Sequence, residues 1–264
     1  MADKAFTRSV GPKLGECALT HLDRAPIDVA AASLQHDGYE QALRDAGLEV
    51  IRLPHLPEHA DGVFVEDTAL LINGHAIITR PGAPSRASEI ESTALGLDRH
   101  FDLHRIENGH VDGGDVLRIG STLYVGLSSR TNYEGFAALK QLVGRLGFET
   151  VAARPRNCLH LKSAATLAGH DATGRLVLVY NSHALDREQF VGADMMAVDE
   201  NERTAANVLR VGERLIMPAG NPRTAELLRA RGFQVIEVDV SELQKAEAGV
   251  TCMSLISEPT ADSG

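Results

Sequence analysis

Side chains capable of acid–base and nucleophilic chemistry recur at nearly regular intervals in this sequence, each beside a short apolar run. They are Glu66, Asp67, Asp112, His160 and Cys252. A thiol, an imidazole and carboxylates are the parts of a nucleophile, a proton carrier and an acid that orients it. A neighbouring imidazolium stabilises the thiolate, which is the nucleophilic form of cysteine. If the fold brings these positions together, they predict a thiol-based catalytic site.

Each of these residues also has a purely structural interpretation. A lone cysteine in apolar surroundings is usually a buried small hydrophobe, and we interpret Cys17 and Cys158 in that way. His160 lies between leucines and would also fit a hydrogen-bonded core histidine, and Asp112, followed by two glycines, would also fit a turn. Cys252 follows Gly-Val-Thr at the start of a repeat, which leaves burial and catalysis equally open.

Two adjacent carboxylates, Glu66 and Asp67, follow an apolar run. They would also fit the cap of the next turn. Burying two negative charges side by side costs free energy unless a cation meets them. A guanidinium group is such a cation, so the pair favours a site for a guanidinium-bearing ligand.

Composition limits the classes of function. The 264-residue chain has a net charge of -10 and no basic cluster, which disfavours nucleic acid as a partner and is compatible with a cationic substrate. Its apolar runs are too short to cross a bilayer, and its first residues lack the apolar core of a signal peptide, so we expect a cytoplasmic protein. Three cysteines without CxxC spacing disfavour a disulfide framework or a structural zinc site. We expect one catalytic domain over residues 1–258 and a disordered tail over 259–264.

The same order of elements recurs along the chain: a short apolar run, a tight turn, a second apolar run, a helix-compatible stretch and a later apolar return. The first repeat carries the hairpin signal Asn73-Gly74 between its two runs. The repeats open at Asp67, Asp115, Ser163, Asn207 and Cys252, which lie 48, 48, 44 and 45 residues apart. A helix in nearly every repeat favours a closed five-bladed α/β propeller of ββαβ-type units over a solenoid or an all-β propeller. In such a ring the repeat openings meet at one end of a central channel.

Local signals refine two of the repeats. In the fourth, Asn221 is a favourable N-cap, Pro222 suits the first helical position and Gly232 closes the helix. The fifth repeat is split between the ends of the chain. Cys252–Ile256 supplies one strand, and the N-terminal part supplies a segment around Phe6, a helix and another strand. Pairing of the two ends would close the ring.

Together these motifs resemble the dimethylarginine dimethylaminohydrolases of the guanidine-modifying, or pentein, superfamily. The resemblance covers nearly the whole chain and rests on the segments 63–67, 78–83 with 85–86, 112–116, 129–132, 159–162 and 250–254. It implies a five-bladed α/β propeller around a substrate channel, in agreement with the repeat spacing. It also implies hydrolysis of asymmetric dimethylarginine or monomethylarginine to citrulline and the amine, without a cofactor.

The resemblance further implies a role for each reactive residue. Cys252 matches the nucleophile, His160 the general acid and base, and Asp112 the carboxylate that orients the histidine. Asp67, with Glu66 beside it, matches the group that binds the guanidinium. Attack by the Cys252 thiolate would then give a covalent S-alkylthiouronium intermediate, which water opens.

The substrate's amino-acid end is assigned in the same way. Asp61 and the backbone carbonyls of Leu19 and Ala246 match the positions that hold the α-amino group. Arg86 and Arg130 match the clamp on the α-carboxylate, for which bidentate guanidinium contacts give position as well as affinity.

Three alternatives remain at this point. An arginine deiminase acts on unmethylated arginine, but those relatives are usually longer and contain an inserted helical region. A non-catalytic, ribosome-binding pentein would not need Cys252, His160 and Asp112 together. Zinc on His160, Cys252 and nearby acids would be inhibitory or adventitious, so we expect no resident metal. The partner we expect is a small methylated arginine, with no nucleic acid or membrane, and the family suggests a homodimer.

Overall fold

Five three-stranded sheets follow one another in the computed structural model, which describes residues 3–257. In the first four sheets along the chain, two strands form an antiparallel hairpin and the third pairs parallel to the second. These twelve strands are β3 (Ala69–Ile72), β4 (His75–Ile78), β5 (Asp102–Arg105), β6 (Val116–Ile119), β7 (Thr122–Gly126), β8 (Glu149–Ala153), β9 (Ala165–His170), β10 (Leu176–Tyr180), β11 (Asp194–Ala197), β12 (Leu209–Val211), β13 (Arg214–Pro218) and β14 (Gln234–Val238). The predicted five-unit α/β fold is confirmed.

The fifth sheet takes its strands from both ends of the described chain. Its members are β15 (Leu255–Ile256), β1 (Lys4–Thr7) and β2 (Glu49–Arg52), in that order. β15 is antiparallel to β1, with Ala5 opposite Ile256, and β1 is parallel to β2, so the sheet repeats the pattern of the others. The predicted strand over Cys252–Ile256 was wrong in its first residues, because Cys252 lies in a 3₁₀ turn before β15. The predicted tail over 259–264 lies outside the described residues.

Helices connect the second and third strands of most units. These connecting helices are α1 (Val29–Asp45), α2 (Glu89–Leu97), α3 (Tyr133–Gly144) and α5 (Pro222–Ala230). Two four-residue helices lie elsewhere: α4 (Leu161–Ala164) precedes β9, and α6 (Ser241–Gln244) follows β14. The unit that contains β9 to β11 has only a 3₁₀ turn, Arg187–Gln189, at this place. Within the described residues, no helix combines the length and the apolar character that crossing a bilayer would require.

Helix α3 shows how the sequence sets these elements. Asn132 caps its start by accepting a hydrogen bond from Gly135 N at 2.9 Å. Phe136, Leu139 and Val143 form its buried face and pack into a core with strands β6 and β7. Truncating the fully buried Leu139 to alanine would cost about 2–5 kcal/mol of stability.

Helix α5 begins differently from the prediction. The Asn221 side chain does not cap it: its amide nitrogen donates to Pro218 O, and its oxygen accepts from the Thr204 hydroxyl. The carboxylate of Glu202 accepts instead from Arg223 N and Thr224 N, at 3.0 and 2.7 Å. A charged acceptor also complements the positive end of the helix dipole, so it replaces the weaker amide.

First strands of neighbouring units lie side by side around the axis of the molecule. β6 contacts β9, β9 contacts β12, and β15 contacts β3. This arrangement puts the turns that precede the first strands at one end of a central channel, where the reactive residues lie.

Candidate active site

A ring of short helical turns brings the repeat openings together. The turns are Val65–Thr68, Gly113–Asp115, α4, Arg203–Ala206 and Thr251–Met253, and each contacts or is hydrogen-bonded to the next. Side chains bond to backbone N–H groups of the next turn: Asp67 accepts from Gly114 at 3.0 Å, Asp115 from Leu161 at 2.9 Å, and Asn207 from Thr251 at 3.0 Å. The sequence prediction that these openings converge therefore agrees with the geometry.

Glycine is required where the ring passes the predicted histidine. A Cβ at Gly114 would lie 2.7 Å from His160 Nδ1 and 2.8 Å from Asp67 Oδ1, closer than side chains tolerate. The two glycines before Asp115 thus let the backbone pass close to the reactive groups.

His160 is buried and held by a carboxylate on each side. Its Nε2 lies 2.9 Å from Asp112 Oδ2, and its Nδ1 lies 3.7 Å from Asp67 Oδ1. Asp112 is itself fixed, since its Oδ1 accepts from Gly82 N at 2.7 Å and its N–H donates to the Thr131 hydroxyl at 3.1 Å. Asp112 can therefore orient the imidazole, and Nδ1 faces Asp67.

These carboxylates change the charge state of the imidazole. Burial lowers the pKa of His160, but the charge of Asp67, the hydrogen bond with Asp112 and the charge of Asp115 together raise that pKa to about 9. At neutral pH His160 is therefore an imidazolium, which can give a proton to a leaving amine.

Cys252 lies in the turn before β15, with 9% of its surface exposed. Its sulfur accepts a hydrogen bond from Gly249 N at 3.3 Å. Burial and the charges of Glu66 and Asp67 raise the pKa of the thiol to about 12. The resting side chain of Cys252 is consequently a neutral thiol rather than half of a preformed thiolate–imidazolium pair.

Both Cys252 and His160 line a small cavity with a volume of about 20 Å³. Its lining comprises Ala18, Asp61, Phe64, Asp67, Arg86, Arg130, Leu159, His160, Ala246, Glu247, Ala248 and Cys252. A volume of this size holds about one water molecule. An amino acid would enter only after part of the wall moves.

Most residues predicted to bind substrate lie in this lining: Asp61, Asp67, Arg86, Arg130 and Ala246. Leu19 does not, and its neighbour Ala18 takes that place. Leu19 is half-buried and packs against the core cluster around α1. Ala18 N donates to both oxygens of Asp61 at 3.2 Å. The segment is thus the predicted one, shifted by one residue.

Glu66 lies outside the lining, contrary to its predicted contact with the guanidinium. One oxygen accepts from Lys162 Nζ at 2.7 Å and the other from the Thr251 hydroxyl at 2.7 Å. Glu66 and Lys162 also line a separate cavity of about 520 Å³. Their ion pair therefore forms a floor between the reactive groups and the other end of the channel.

Arg86 is already engaged by protein groups. Its Nη1 donates to Asp67, its Nε and Nη2 donate to Glu89, and Nη2 also donates to Phe64 O. Only 3% of the residue is exposed. Arg86 neutralises two buried carboxylates here, so it differs from the predicted open clamp. Arg130, by contrast, makes a 3.3 Å contact with the Thr20 hydroxyl and lies 3.8 Å from Asp112 Oδ2.

Glu247 is a site residue that the sequence did not reveal. Its carboxylate accepts hydrogen bonds from three successive backbone N–H groups, those of Thr20, His21 and Leu22. Its φ of 60° lies in the left-handed region, which is uncommon for a side chain of this kind. It fastens the loop that carries Ala18 over the cavity. No local motif marks a glutamate for this contact, because its partners are about 225 positions away in the chain.

Metal coordination is geometrically open to Asp67, Asp112 and His160, whose ligand atoms lie within 4.8 Å of one another. Cys252 does not belong to this group, so the zinc set considered from the sequence is not the one that the described residues form. The pKa of His160, raised to about 9, keeps the ring protonated at neutral pH, and a protonated ring nitrogen has no lone pair to offer a metal ion.

Comparisons with known proteins agree with the fold and show the family. The family profile "N,N dimethylarginine dimethylhydrolase, eukaryotic" matches residues 23–256. An N(G),N(G)-dimethylarginine dimethylaminohydrolase of Pseudomonas aeruginosa is 38% identical, over 86% of this chain and 89% of its own length. The protein of the same name from Streptomyces coelicolor is also 38% identical, over 96% of each chain.

Solved structures extend the comparison. A Cys-to-Ser variant of the Pseudomonas aeruginosa enzyme, complexed with citrulline, superposes with a TM-score of 0.91 at 35% identity, covering 97% of this chain and 99% of that one. The N-terminal domain of a cyanobacterial arginine dihydrolase has a TM-score of 0.80 at 18% identity, covering 98% and 99% of the two chains, and shares the fold alone. The chain belongs to the dimethylarginine dimethylaminohydrolase family.

Proposed function

We propose that this protein hydrolyses N-omega-methylated arginine, either asymmetric dimethylarginine or monomethylarginine, to citrulline and the corresponding amine. One observation carries the proposal: the thiol of Cys252, the imidazolium of His160 and the carboxylate of Asp67 line one small cavity in a member of this family. A water-excluding site strengthens each electrostatic contact that holds a cationic substrate. Neither a cofactor nor a metal has a part in the proposed reaction.

Asp67 is the group proposed to bind the substrate guanidinium. Its carboxylate already accepts from Gly114 N and Arg86, and each oxygen retains a further lone pair for an N–H of the substrate. Arg86 holds this carboxylate in place, and Phe64 offers an apolar surface at the cavity wall. We assign Glu66 to the floor of the site rather than to substrate binding.

The amino-acid end of the substrate is proposed to lie between Asp61 and Arg130. Asp61 faces the cavity and suits the α-ammonium, with the carbonyls of the segment at Ala18–Leu19 and of Ala246 beside it. Arg130 suits the α-carboxylate because its guanidinium makes few strong protein contacts. Arg86 would reach that carboxylate only after releasing Asp67 or Glu89.

The substrate cation is proposed to activate the nucleophile. Placed between Asp67 and the sulfur, a guanidinium offsets the negative charge that raises the thiol pKa. Because His160 is already protonated, Cys252 gives its proton to solvent water as the substrate enters. The thiolate attacks the guanidinium carbon and forms a C–S bond. His160 then protonates the amine nitrogen, the C–N bond breaks, and dimethylamine or methylamine leaves.

The second half of the reaction uses the now neutral His160 as a base. It takes a proton from water, whose oxygen adds to the carbon of the S-alkylthiouronium. The C–S bond breaks as the new hydroxyl group becomes the carbonyl of citrulline and gives its proton to the Cys252 sulfur, and citrulline departs. A relative in which the histidine is replaced by glycine is known as an adduct with S-methyl-L-thiocitrulline, which supports a covalent route.

The test is citrulline release from asymmetric dimethylarginine, monomethylarginine and arginine, each with and without a chelator. We expect the methylated substrates to be preferred, Cys252→Ser to abolish turnover while the protein stays folded, and the chelator to have no effect. Cys17→Ser and Cys158→Ser are matched controls that should keep activity. Citrulline formed from arginine alone would instead establish a deiminase. A cytoplasmic location and a homodimer stay predictions.

A further inference from the structure

Asp115 is a fully buried carboxylate that lies behind the reactive groups and does not line the substrate cavity. Its Oδ1 accepts a hydrogen bond from Leu161 N at 2.9 Å, and Leu161 directly follows His160. Its Oδ2 accepts from the Ser128 hydroxyl at 2.6 Å. One carboxylate therefore joins the segment that carries His160 to the loop at residues 128–131.

The Ser128 hydroxyl passes this connection to the rest of the loop. While donating to Asp115, it accepts from Arg130 N at 3.0 Å and from Thr131 N at 3.3 Å. The Thr131 hydroxyl is also hydrogen-bonded to Asp115 and accepts from Asp112 N. Asp115 thus fixes the backbone at two residues. One is Arg130, proposed to bind the α-carboxylate of the substrate, and the other is Asp112, which orients His160.

We propose that Asp115 is a positioning residue of the reaction: its carboxylate sets His160, Asp112 and Arg130 relative to one another, so that proton transfer and substrate binding depend on a single buried group. This rests on the proposed hydrolysis of methylated arginine. Groups that hold the residues in direct contact with a reacting centre typically change activity by about 10–100-fold when removed.

Electrostatics support the same role. Burial raises the pKa of Asp115 to about 6, although the His160 charge and the hydroxyl bonds oppose the rise, so Asp115 is mostly ionised at pH 7.5. Its charge adds to those of Asp67 and Asp112 in keeping His160 protonated. Other charged or titratable groups near His160 include Arg86 through Asp67, Arg130 through Asp112, and Cys252 across the cavity. The Glu66–Lys162 pair lies across the ring of turns, and Cys158 Sγ lies 3.4 Å from His160 O.

The informative variants are Asp115→Asn and Ser128→Ala. An amide side chain fits at this position in the ring of turns, because Asn207 accepts from Thr251 N at the equivalent place in another unit. Asp115→Asn keeps the shape and removes the charge. Ser128→Ala keeps the charge and removes the connection to the loop through Ser128, while the bond from Thr131 to Asp115 remains. Asp171→Asn is the matched control, since that buried carboxylate is bonded to its own turn and to Arg175, away from the cavity.

We expect the two variants to change different quantities. In Asp115→Asn, NMR titration of the His160 ring should show a pKa lower by about one pH unit, and kcat for citrulline release should fall by about 10–100-fold. In Ser128→Ala the His160 pKa should stay as in the wild type, while KM for asymmetric dimethylarginine rises by about tenfold. Asp171→Asn should change none of these quantities.

A folded Asp115→Asn protein with wild-type His160 pKa and kcat would overturn the proposal. If Asp115→Asn fails to fold, a wild-type KM and kcat in Ser128→Ala would overturn it instead. Should the wild type release no citrulline, the proposed function fails, whereas the His160 titration in the folded variant still decides the role of Asp115.

Discussion

The thiol of Cys252 and the imidazole of His160 both keep their protons in the resting site. The thiol is neutral because its pKa is raised to about 12, and the imidazole is charged because its pKa is raised to about 9. The same carboxylate, Asp67, contributes to both shifts, since a negative charge disfavours the thiolate and favours the imidazolium. A bound cation beside Asp67 lowers the pKa of the Cys252 thiol, whereas the carboxylate raises it.

This predicts that Cys252 reacts preferentially with cationic reagents. At pH 7.5, 2-chloroacetamidine should inactivate the protein at least about tenfold faster than neutral iodoacetamide, because each unit by which the cation lowers the thiol pKa raises the thiolate fraction about tenfold. Rates are normalised to those of the two reagents with glutathione, and mass spectrometry locates the label. Equal normalised rates, or label on Cys158, would contradict the prediction.

The raised pKa of His160 predicts the alkaline limit of activity. We expect kcat/KM for asymmetric dimethylarginine to decline above about pH 9, because the imidazolium that protonates the leaving amine is lost there. The same shift affects stability: His160 stabilises the fold fully below its ordinary pKa of 6.5, and this contribution disappears as pH rises through about 9. A pH–rate profile, with urea unfolding at each pH as control, measures both. A rate still rising at pH 10 would exclude His160 as the acid.

Residue types and spacing predicted Cys252, His160, Asp112 and Asp67, and the structure brings these together. Glu66, predicted for the guanidinium site, does not line the cavity with Asp67, and the reason is geometric. Neighbouring residues of a 3₁₀ turn point about 120° apart, so adjacency to Asp67 does not give a shared face. Sequence also shows no counter-ion, and the contacts of Glu66 with Lys162 and Thr251 required the fold.

At the scale of elements, charged side chains hold the loop over the cavity. Glu247 binds the N–H groups of Thr20, His21 and Leu22, and Arg24 donates to the carbonyls of Gly15 and Cys17 at the base of the loop. Because the cavity has room for only about one water molecule, substrate entry requires this loop or a neighbouring one to move.

We predict that Glu247→Ala loosens this loop. KM should rise by about 3- to 10-fold, because the lost charge-assisted hydrogen bonds hold the segment proposed to bind the α-ammonium, and trypsin should cleave after Arg24 faster than in the wild type. Glu242→Ala is the control: it removes the same charge from α6, where Glu242 binds Asp28 N and Lys245. Unchanged KM and cleavage in Glu247→Ala would show that the loop is held by other contacts.

Local signals predicted the hairpins, the helices and the place of the split fifth unit. The prediction was wrong where a residue distant in the sequence makes a contact that was expected of a local residue. Asn221 was a favourable N-cap by type, yet Glu202 supplies the bonds to the start of α5, because the fold brings its carboxylate close. Cap propensity measures only what a residue can do within its own turn.

The whole molecule is a ring in which one channel is divided into two cavities. Regular spacing of the repeats predicted the ring, because similar units arranged around an axis place their openings at the same end of the channel. It did not predict the floor made by Glu66 and Lys162, since these residues belong to different units and form one ion pair at the axis. The cavity of about 20 Å³ with the thiol lies on one side, and that of about 520 Å³ lies on the other.

The ion pair between Lys162 and Glu66 is expected to affect both the stability of the fold and the reactivity of Cys252. Lys162 and Glu66 expose only 18% and 8% of their side chains, so Lys162→Met leaves a buried carboxylate without its cation. We expect a loss of about 3 kcal/mol in urea unfolding, and recovery of most of it in Lys162→Met/Glu66→Gln, which removes the uncompensated charge and can keep a bond to Thr251.

Reactivity distinguishes this floor from an ordinary stabilising pair. Lys162 lowers and Glu66 raises the pKa of Cys252, so the single variant should react more slowly with 2-chloroacetamidine, and the double variant should regain much of the rate. A single variant as stable and as reactive as the wild type would mean that water reaches Glu66 from the larger cavity. The ion pair would then be solvated, and the two halves of the channel would be in communication.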